Sequence, residues 1–295
     1  VAIRPGTGEI VALYGGRDYL QRQLSDATQS IALAGSTFKP FAIIAGLEQG
    51  IPLTSMWNGD SPQTFDDLGK PYIVSNYGDE GWGQVDLMYA TKHSINTIFV
   101  PLGIKVGPAA VVDVARRAGI PESVAMIPTP SVVLGVASPR VIDVANAYAT
   151  FAAQGIKSKP YLVSQVIGSN KGVLYEGKQE TQEVFSKEVM ADLTYALKGT
   201  ITGGTGAAAL AAWFSAYTPQ LAASVALFRD SASESLNGIG GLTSVTGGTF
   251  PARIWTAFMK GALKGEPVMD FPAPSNIGGL DPVVMTSGGK QKPKP

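Results

Sequence analysis

The sequence contains no cysteine and a single histidine, His93, and these two shortages exclude several kinds of chemistry. Disulfides, thiolate nucleophiles and cysteine–histidine zinc sites all need residues that this chain lacks. A Ser-His-Asp triad would have to use His93. The lack of cysteine is compatible with an oxidising compartment but does not demonstrate one. We therefore expect no metal and no cofactor, and an activated serine would need lysine or a carboxylate as its base.

The chain also lacks excess charge and long apolar runs. Its 23 basic and 23 acidic residues leave no net field to hold a polyanion, so nucleic acid is not an expected partner. No run approaches the roughly 18 apolar residues that a membrane-spanning helix needs. The sequence opens at Val1 without a methionine and passes directly into an alternating stretch. We interpret it as an excised domain whose signals and anchors lie upstream.

Hydrophobic periodicity predicts short strands followed by several helices in the first half of the chain. Residues 1–16 read as two strands around a Pro-Gly-Thr-Gly turn, and residues 36–48 read as a helix that ends near Gly50. Apolar residues at three- and four-residue spacing predict three further helices, at residues 85–93, 108–119 and 139–155.

The pattern changes after residue 161. A hairpin is predicted about residues 169–172, then a helix near 186–199, two strand-like runs ("AWFSAYT" and "LAASVALFRD") and a closing amphipathic helix at 250–263. Strands at both ends with helices between them imply an α+β fold whose terminal strands share one sheet. The end of the chain, "TSGGKQKPKP", is too polar to order itself, so we predict one domain over residues 1–279 and a disordered tail over 280–295.

The stretch "AGSTFKPF" sets a serine hydroxyl and a lysine amine three positions apart in an otherwise apolar segment. On a helix, Ser36 and Lys39 share a face, near an N-terminus whose free N–H groups favour developing negative charge. Pro40 restricts this arrangement to the first turn, where few backbone bonds are lost. For Lys39 to act as a base its pKa must fall through burial or a neighbouring positive charge. Taken alone, such a quartet is usually a helix cap followed by a solvated lysine.

A second polar element, "HSINT", follows the predicted helix at residues 85–93. It offers Ser94 and Asn96 two positions apart, and an exposed turn at this point can aim both side chains into a common cleft. Together with Ser36 and Lys39 they form Ser-x-x-Lys followed by Ser-x-Asn, a pattern of penicillin-binding proteins and serine β-lactamases.

The resemblance extends well beyond these two motifs. The segments "VAIRPGTGEIVALYGG", "SNYGDEGWGQVDLMYATKHSINTIFV", "VLGVASPRVIDVANAYATFAAQG", "WFSAYTPQL" and "GGTFPARIW" occur in the family order. From Val1 to about Gly279 the chain resembles the transpeptidase domain of class A, bifunctional penicillin-binding proteins. The resemblance implies a penicillin-binding-protein/serine β-lactamase-like α+β fold, with an antiparallel sheet built from N- and C-terminal strands beside a helix-rich subdomain.

The resemblance also implies acyl transfer on peptidoglycan stem peptides. Ser36 would attack the penultimate D-alanine of a D-Ala-D-Ala terminus, and an amine of a second stem peptide would resolve the acyl-enzyme into a crosslink. Lys39 would deprotonate Ser36, Ser94 would relay a proton to the leaving amine, and Asn96 would hydrogen-bond the substrate amide. The backbone N–H of Ser36 would supply half of the oxyanion hole. β-Lactam antibiotics would acylate the same serine.

The family's location and domain partners follow from the same resemblance. It implies the extracytoplasmic face of the bacterial cell membrane, with a glycosyltransferase domain and a membrane anchor upstream of this chain.

One family element is not in the sequence. A Lys-Thr-Gly or Lys-Ser-Gly is expected on the strand before "WFSAYTPQL", but "GGTGAAALAAWFSAYT" passes directly from what resembles the preceding loop to the following strand. Its loss would remove a cation that keeps Lys39 neutral, the second oxyanion donor and the anchor of the substrate carboxylate. It would also remove a strand from the middle of the sheet. We therefore predict that residues are missing at a join between Ala207 and Trp213.

Three alternative functions stay open. A D,D-carboxypeptidase shares all the motifs, and only the class A style of the flanking segments favours transpeptidation. A non-catalytic penicillin-binding or sensor module is the alternative if the third motif is truly absent. A serine β-lactamase would need a deacylating base in a Glu-x-x-Leu-Asn turn, and the nearest match, residues 234–237, is one residue short and comes too late.

The polar, glycine-rich stretch "SNYGDEGWG" lies just before the Ser94 segment, where the rim of a cleft is expected. Asn76, Tyr77 and Trp82 are therefore candidate substrate-binding residues, with packing of the loop itself an equal expectation. His93 adjoins Ser94 and points elsewhere, so we expect it to be packed or solvated rather than to act as a base.

Overall fold

The computed structural model describes residues 1–67, 69–198, 210–231 and 234–285. The helices in these ranges are α1 (Lys39–Glu48), α2 (Leu87–His93), α3 (Asn96–Val106), α4 (Pro108–Ala118), α5 (Val141–Ala152), α6 (Lys187–Lys198) and α7 (Phe250–Ala262). The strands are β1 (Ala2–Ile3), β2 (Ile10–Ala12), β3 (Met56–Asn58), β4 (Gln63–Asp67), β5 (Lys70–Val74), β6 (Gln84–Asp86), β7 (Ile156–Ser158), β8 (Gln165–Ile167), β9 (Val173–Glu176), β10 (Thr181–Glu183), β11 (Ala211–Tyr217) and β12 (Ala222–Phe228).

The main sheet joins the two ends of the chain. Its strand order is β11-β12-β1-β2, and every pair in it is antiparallel. β11 and β12 form a hairpin paired over seven residues, and β1 adds to β12 with Ala2 opposite Ala223. The predicted α+β fold with an antiparallel sheet of N- and C-terminal strands is therefore confirmed.

Helices cover both faces of this sheet. Successive side chains of a strand point to opposite sides, so the apolar residues of β1 and β12 need a packing partner on each face. On one face, Ile3 and Ala222 pack against three alanines of α5. On the other face, Ala2 and Ala223 pack against Met259 of α7. The Nε1–H of Trp255 in α7 also donates to the carbonyl of Ala223. The two predicted terminal elements thus form a sheet sandwiched between helices.

Helix α1 is the centre of the helix-rich subdomain. Residues 39–47 are all buried, which agrees with a sequence that is apolar on every side of the helix. The ring of Phe41 meets that of Phe151 in α5 edge to face, with centroids 5.8 Å apart. Lys39 is the one charged residue in this buried stretch, so its amine has to find polar partners inside the protein.

Helices α3 and α4 meet at a sharp bend. Gly107 between them has φ +89°, a conformation that L residues rarely adopt, and Pro108 opens α4. In the described ranges no single helix has the length and apolar composition to cross a membrane; α3 and α4 reach them only as a pair, bent by 93°. Helix α3 was not predicted, because Pro101 and an apolar surface on nearly all sides obscure its helical period.

Three residues within the predicted tail lie on the domain. The N–H of Met56 in β3 donates to the carbonyl of Val283, and the N–H of Met285 donates to the carbonyl of Met56, both at 2.8 Å. Residues 283–285 therefore gain strand-like backbone partners, which composition alone does not reveal. Residues 286–295 lie outside the described ranges, and for them the tail stays a prediction.

The predicted join lies between Ala207 and Trp213, and residues 207–209 of this window are outside the described ranges. Among the described strands, β11 is at the end of the main sheet rather than inside it. The missing Lys-Thr-Gly strand therefore stays a prediction.

Candidate active site

Ser36 lies in a single 3-10 turn, residues Gly35–Phe38, that leads directly into α1. The turn is fixed by a close backbone approach: the N–H of Gly35 donates to the carbonyl of Gly135 at 3.0 Å. A Cβ at position 135 would lie 2.1 Å from the carbonyl oxygen of Gly35, and φ there is +71°. Only glycine fits this contact, which holds Ser36 at the mouth of the cleft.

Two side chains fasten the segments on either side of Ser36. The indole Nε1–H of Trp213 in β11 donates to the carbonyl of Leu33 at 2.9 Å, which ties the approach to Ser36 to the main sheet. The hydroxyl of Tyr148 in α5 donates to the carbonyl of Thr37 at 3.1 Å. The serine is therefore held by the sheet and by the helical subdomain together.

Lys39, the first residue of α1, is only 4% exposed. Its Nζ donates to the carbonyl oxygen of Ser94 at 2.6 Å, to the Oγ of Ser94 at 2.7 Å and to the Oδ1 of Asn96 at 2.8 Å. Burial removes the ammonium from water and lowers the pKa of Lys39 from 10.5 to about 7. Both the charged and the neutral amine are therefore populated near neutral pH.

Ser94 presents two oxygens to that amine because of its backbone. It ends α2 in the left-handed conformation, with φ +54°, which is uncommon for a residue with a side chain. Its Oγ–H donates to the Oγ of Ser36 at 2.9 Å. Ser36, Ser94 and Lys39 therefore form a continuous hydrogen-bonded chain.

This chain differs from the direct contact expected between Ser36 and Lys39. Among the described side chains, the amine of Lys39 bonds to Ser94 and Asn96, and it reaches Ser36 through Ser94. The sequence spacing places Ser36 and Lys39 on one face, but the bend at Ser94 inserts a hydroxyl between them.

Asn96 begins α3 and has a fixed orientation. Its Oδ1 accepts from Lys39, and its Nδ2 donates to the carbonyl of Ser75 at 3.0 Å. An amide nitrogen carries two hydrogens, so one donor remains for a ligand. The backbone N–H of Ser36 likewise has no acceptor among the described residues.

A cleft of about 700 Å³ runs past these groups. The four motif residues line one side of it, and residues of β11 line the other. Phe271 closes part of the rim and meets Tyr217 of β11 edge to face, with centroids 5.4 Å apart. The volume is within the usual range for small-molecule sites.

The three candidate groove residues line the cleft but are not equivalent. The carboxamide of Asn76 donates to the carbonyls of Gly59 and Glu80 and accepts from both the N–H and the hydroxyl of Thr97. Asn76 is thus engaged in holding its own loop. Tyr77 is 49% exposed and has its ring available to a ligand.

Trp82 belongs to an aromatic stack that contains the single histidine. The His93 ring stacks on Tyr89 with centroids 4.2 Å apart and lies 4.8 Å from Trp82. His93 also lines the cleft, so the prediction that it points elsewhere is wrong, whereas the expected packing of its ring agrees with these contacts. The sequence analysis did not identify Gly135 or Phe271 as residues of the site. Gly135 gave one signal, because it is a lone glycine between apolar residues in "VLGVAS"; Phe271 gave none.

A serine hydroxyl joined to a buried lysine of lowered pKa, beside a cleft and a free backbone N–H, is the arrangement that an activated serine nucleophile requires. The site thus has the composition of a serine–lysine acyl-transfer centre.

Comparison with known proteins assigns the chain to a family with this chemistry. The model of the penicillin-binding protein transpeptidase domain matches residues 1–220. Penicillin-binding protein 1A of Mycobacterium tuberculosis is 33% identical over 95% of this chain and 38% of its own length. Penicillin-binding protein 2D of Bacillus subtilis is 30% identical over 98% of this chain and 44% of its own length. The chain therefore belongs to the penicillin-binding protein transpeptidase family, on the class A, 1A-like side.

Solved structures agree with this assignment. The penicillin-binding protein PonA1 of M. tuberculosis has a TM-score of 0.84 at 32% identity, over 99% of this chain and 84% of that one. PonA1 in complex with penicillin V has a TM-score of 0.83 at 32% identity, over 95% and 81% of the two chains. The predicted penicillin-binding fold is confirmed. This chain spans about two fifths of the length of the curated relatives that it matches.

Proposed function

We propose that this domain is a serine-type D,D-transpeptidase that crosslinks peptidoglycan stem peptides through an acyl-enzyme on Ser36. The observation that carries the proposal is the hydrogen-bonded chain from Ser36 through Ser94 to the buried Lys39. The family assignment and the penicillin V complex of PonA1 support it, and they favour β-lactams as inhibitors.

In the proposed acylation, Lys39 acts in its neutral form. The Ser36 hydroxyl passes its proton to Ser94 Oγ while Ser94 passes its own to Lys39 Nζ, and Ser36 Oγ bonds to the carbonyl carbon of the penultimate D-alanine. The backbone N–H of Ser36 stabilises the oxyanion. As the tetrahedral intermediate collapses, the same chain returns a proton to the departing amine of the terminal D-alanine.

Deacylation by the amine of a second stem peptide would reverse these proton movements and form the crosslink. The remaining N–H of Asn96 would donate to a substrate carbonyl, and the exposed ring of Tyr77 would contact the stem peptide; the single amide bond to Ser75 and the exposure of Tyr77 support these roles. Trp82 would act on the same rim, and Asn76 by holding the loop beneath it. If water replaces the acceptor amine, the same site is a D,D-carboxypeptidase.

The family's domain organisation is a further part of the proposal. The curated relatives are more than twice the length of this chain, which supports an upstream glycosyltransferase domain and membrane anchor in the whole protein. The domain would then act at the extracytoplasmic face of the bacterial membrane, where D-Ala-D-Ala stem peptides are the substrates.

Fluorescent penicillin tests the acylation step. We expect one label per chain, located on Ser36 by peptide mass spectrometry, and no label on Ser36→Ala. Ser131→Ala, which removes a hydroxyl outside the cleft, should label as the parent does. Absence of labelling in a folded parent protein would overturn the enzyme proposal and leave a non-catalytic module.

A stem pentapeptide incubated with a D-amino acid acceptor separates the two enzymatic alternatives. A product in which the acceptor has replaced the terminal D-alanine, recognised by the difference in mass, indicates transfer to an amine. Release of D-alanine with only hydrolysed tetrapeptide would indicate a carboxypeptidase. Labelling by penicillin with neither product would indicate a penicillin-binding sensor.

A further inference from the structure

A second cavity lies away from the Ser36 cleft and shares no lining residue with it. It has a volume of about 510 Å³, is open to solvent, and is bordered by the C-terminal end of α4, by Asn146 of α5 and by the β7–β10 pair. This volume also falls in the usual range for small-molecule sites. Nothing in the proposed transpeptidase mechanism uses it.

The floor of the cavity carries an unpartnered amide. Asn146 is only 7% exposed, and its carboxamide makes no hydrogen bond with the described part of the chain. The neighbouring Gly119 leaves room for it, since a Cβ at position 119 would lie 2.5 Å from Asn146 Nδ2. Because this carboxamide faces the cavity without a partner among the described residues, its donors and its acceptor are available for a bound molecule.

Lysine and arginine give the cavity an excess of positive charge. Lys157 lies beside Asn146, with its Cδ 3.9 Å from the same point above Gly119, and has no ion pair among the described residues. Arg116 is directed at three carbonyls, and its one charged partner in the described ranges is the exposed Glu122, at 3.3 Å.

The other charges that line the cavity offset each other. Lys159 pairs with Glu180 at 3.1 Å. The wall therefore carries three cations and two carboxylates, and the cation without a partner, Lys157, is the one next to the free amide. This arrangement favours an anionic group with polar atoms close to it.

We propose that this cavity is a second ligand site that binds a small organic carboxylate with a polar, sugar- or dipeptide-sized body. The Lys157 ammonium binds the carboxylate, and the Asn146 carboxamide binds an adjacent hydroxyl or amide of the same molecule. No covalent step is involved, and the proposal does not depend on the reaction at Ser36.

N-Acetylmuramic acid and N-acetylglucosamine are a matched pair of probes, because they share the ring and acetamido group and only the first has a carboxylate. We expect titration calorimetry to give one saturable site for N-acetylmuramic acid, and about tenfold weaker binding of N-acetylglucosamine, as the loss of one charge-assisted contact implies. Amide chemical shifts of Gly119 and Lys157 should move with occupancy.

Lys157→Gln and Asn146→Asp test the location. Each should weaken N-acetylmuramic acid by about tenfold, the first by removing the cation and the second by placing a like charge beside the ligand. Lys105→Gln, an exposed lysine outside the cavity, should leave the affinity unchanged. Urea unfolding of each variant checks the fold, and Lys157→Gln, which is half-buried, remains informative if the buried Asn146→Asp does not fold.

Three results would overturn the proposal. The first is no saturable binding of N-acetylmuramic acid at millimolar concentration. The second is equal affinity for the two sugars, and the third is unchanged affinity in a folded Lys157→Gln variant.

Discussion

The hydroxyl oxygens of Ser36 and Ser94 lie 2.9 Å apart although 58 residues separate them in the chain. On its other side the Ser94 hydroxyl accepts from the buried amine of Lys39 at 2.7 Å. Ser94 is therefore the link between nucleophile and base, and the protonation of Lys39 sets the direction in which protons can move along the chain. This relationship leads to two predictions.

The first concerns pH. Below about 7 Lys39 is an ammonium and has no lone pair to accept the proton of Ser36; above about 7 it is a neutral amine that can. The rate of penicillin acylation should therefore rise as pH increases through about 7 and then level off. Stopped-flow measurement of labelling with a slow-reacting penicillin over this range tests it. A flat profile, or one that falls over the same interval, contradicts a lysine base.

The second prediction removes the link. Ser94→Gly deletes the hydroxyl but keeps the carbonyl that accepts from Lys39, and glycine adopts φ +54° without strain. We expect acylation to fall by about 10²–10⁴-fold, the usual range for losing a positioned proton-transfer group.

Lys171→Gly is the matched control for Ser94→Gly, because Lys171 has φ +61° in an exposed hairpin turn far from this chemistry. Its labelling rate should equal that of the parent protein. If Ser94→Gly also labels at the parent rate, protons do not travel through Ser94.

The third prediction concerns the glycine contact beneath Ser36. In Gly135→Ala the new methyl group would meet the Gly35 carbonyl at 2.1 Å, in a backbone conformation with φ +71°. The 3-10 turn must shift, so we expect lower stability and slower labelling together. Gly261→Ala, in α7 with nothing within 4 Å of the added methyl, should be neutral or raise stability by about 0.5–1 kcal/mol. Urea unfolding and penicillin labelling of both variants provide the comparison.

Most long elements of the fold were predictable because their hydrophobic pattern repeats over seven or more residues. Helices α4 and α5 and the β11–β12 hairpin are examples, and their predicted ranges agree with the structure to within a few residues. Strands β3 and β6, of three residues each, are too short to show an alternation. Their pairing brings together residues that are far apart in the chain, and a local sequence pattern contains no information about such a contact.

The candidate site was predictable in composition but not in geometry. Ser36, Lys39, Ser94 and Asn96 were identified from two motifs, and the structure brings all four together. The order of contacts depends on the left-handed backbone of Ser94, and no residue type at that position signals it. The lowered pKa of Lys39 depends on the burial of its whole helix, which follows only from the packed fold.

The fourth prediction concerns the segment that carries Phe271 to the rim of the cleft. The carboxylate of Asp192 in α6, only 1% exposed, accepts from three consecutive backbone N–H groups: Ser275 and Asn276 on Oδ1 at 2.5 and 2.9 Å, and Ile277 on Oδ2 at 2.7 Å. Asp192→Asn removes the charge and turns an N–H₂ group towards one of these donors. We expect the free energy of unfolding to fall by about 1.5–3 kcal/mol, as for a lost hydrogen bond to a charged group.

Asp270→Asn is the control for this variant, because Asp270 is exposed: its Oδ1 pairs with Lys198 at 2.6 Å and accepts from the N–H of Phe271 at 2.7 Å, both at the surface. Its unfolding should change little, since solvent screens such pairs. Urea denaturation of the two variants, with fluorescence of the aromatic residues as the signal, measures both. Equal losses would mean that the buried carboxylate does not hold residues 275–277. A larger loss in Asp192→Asn, accompanied by altered penicillin labelling, would connect this anchor to the shape of the Ser36 cleft.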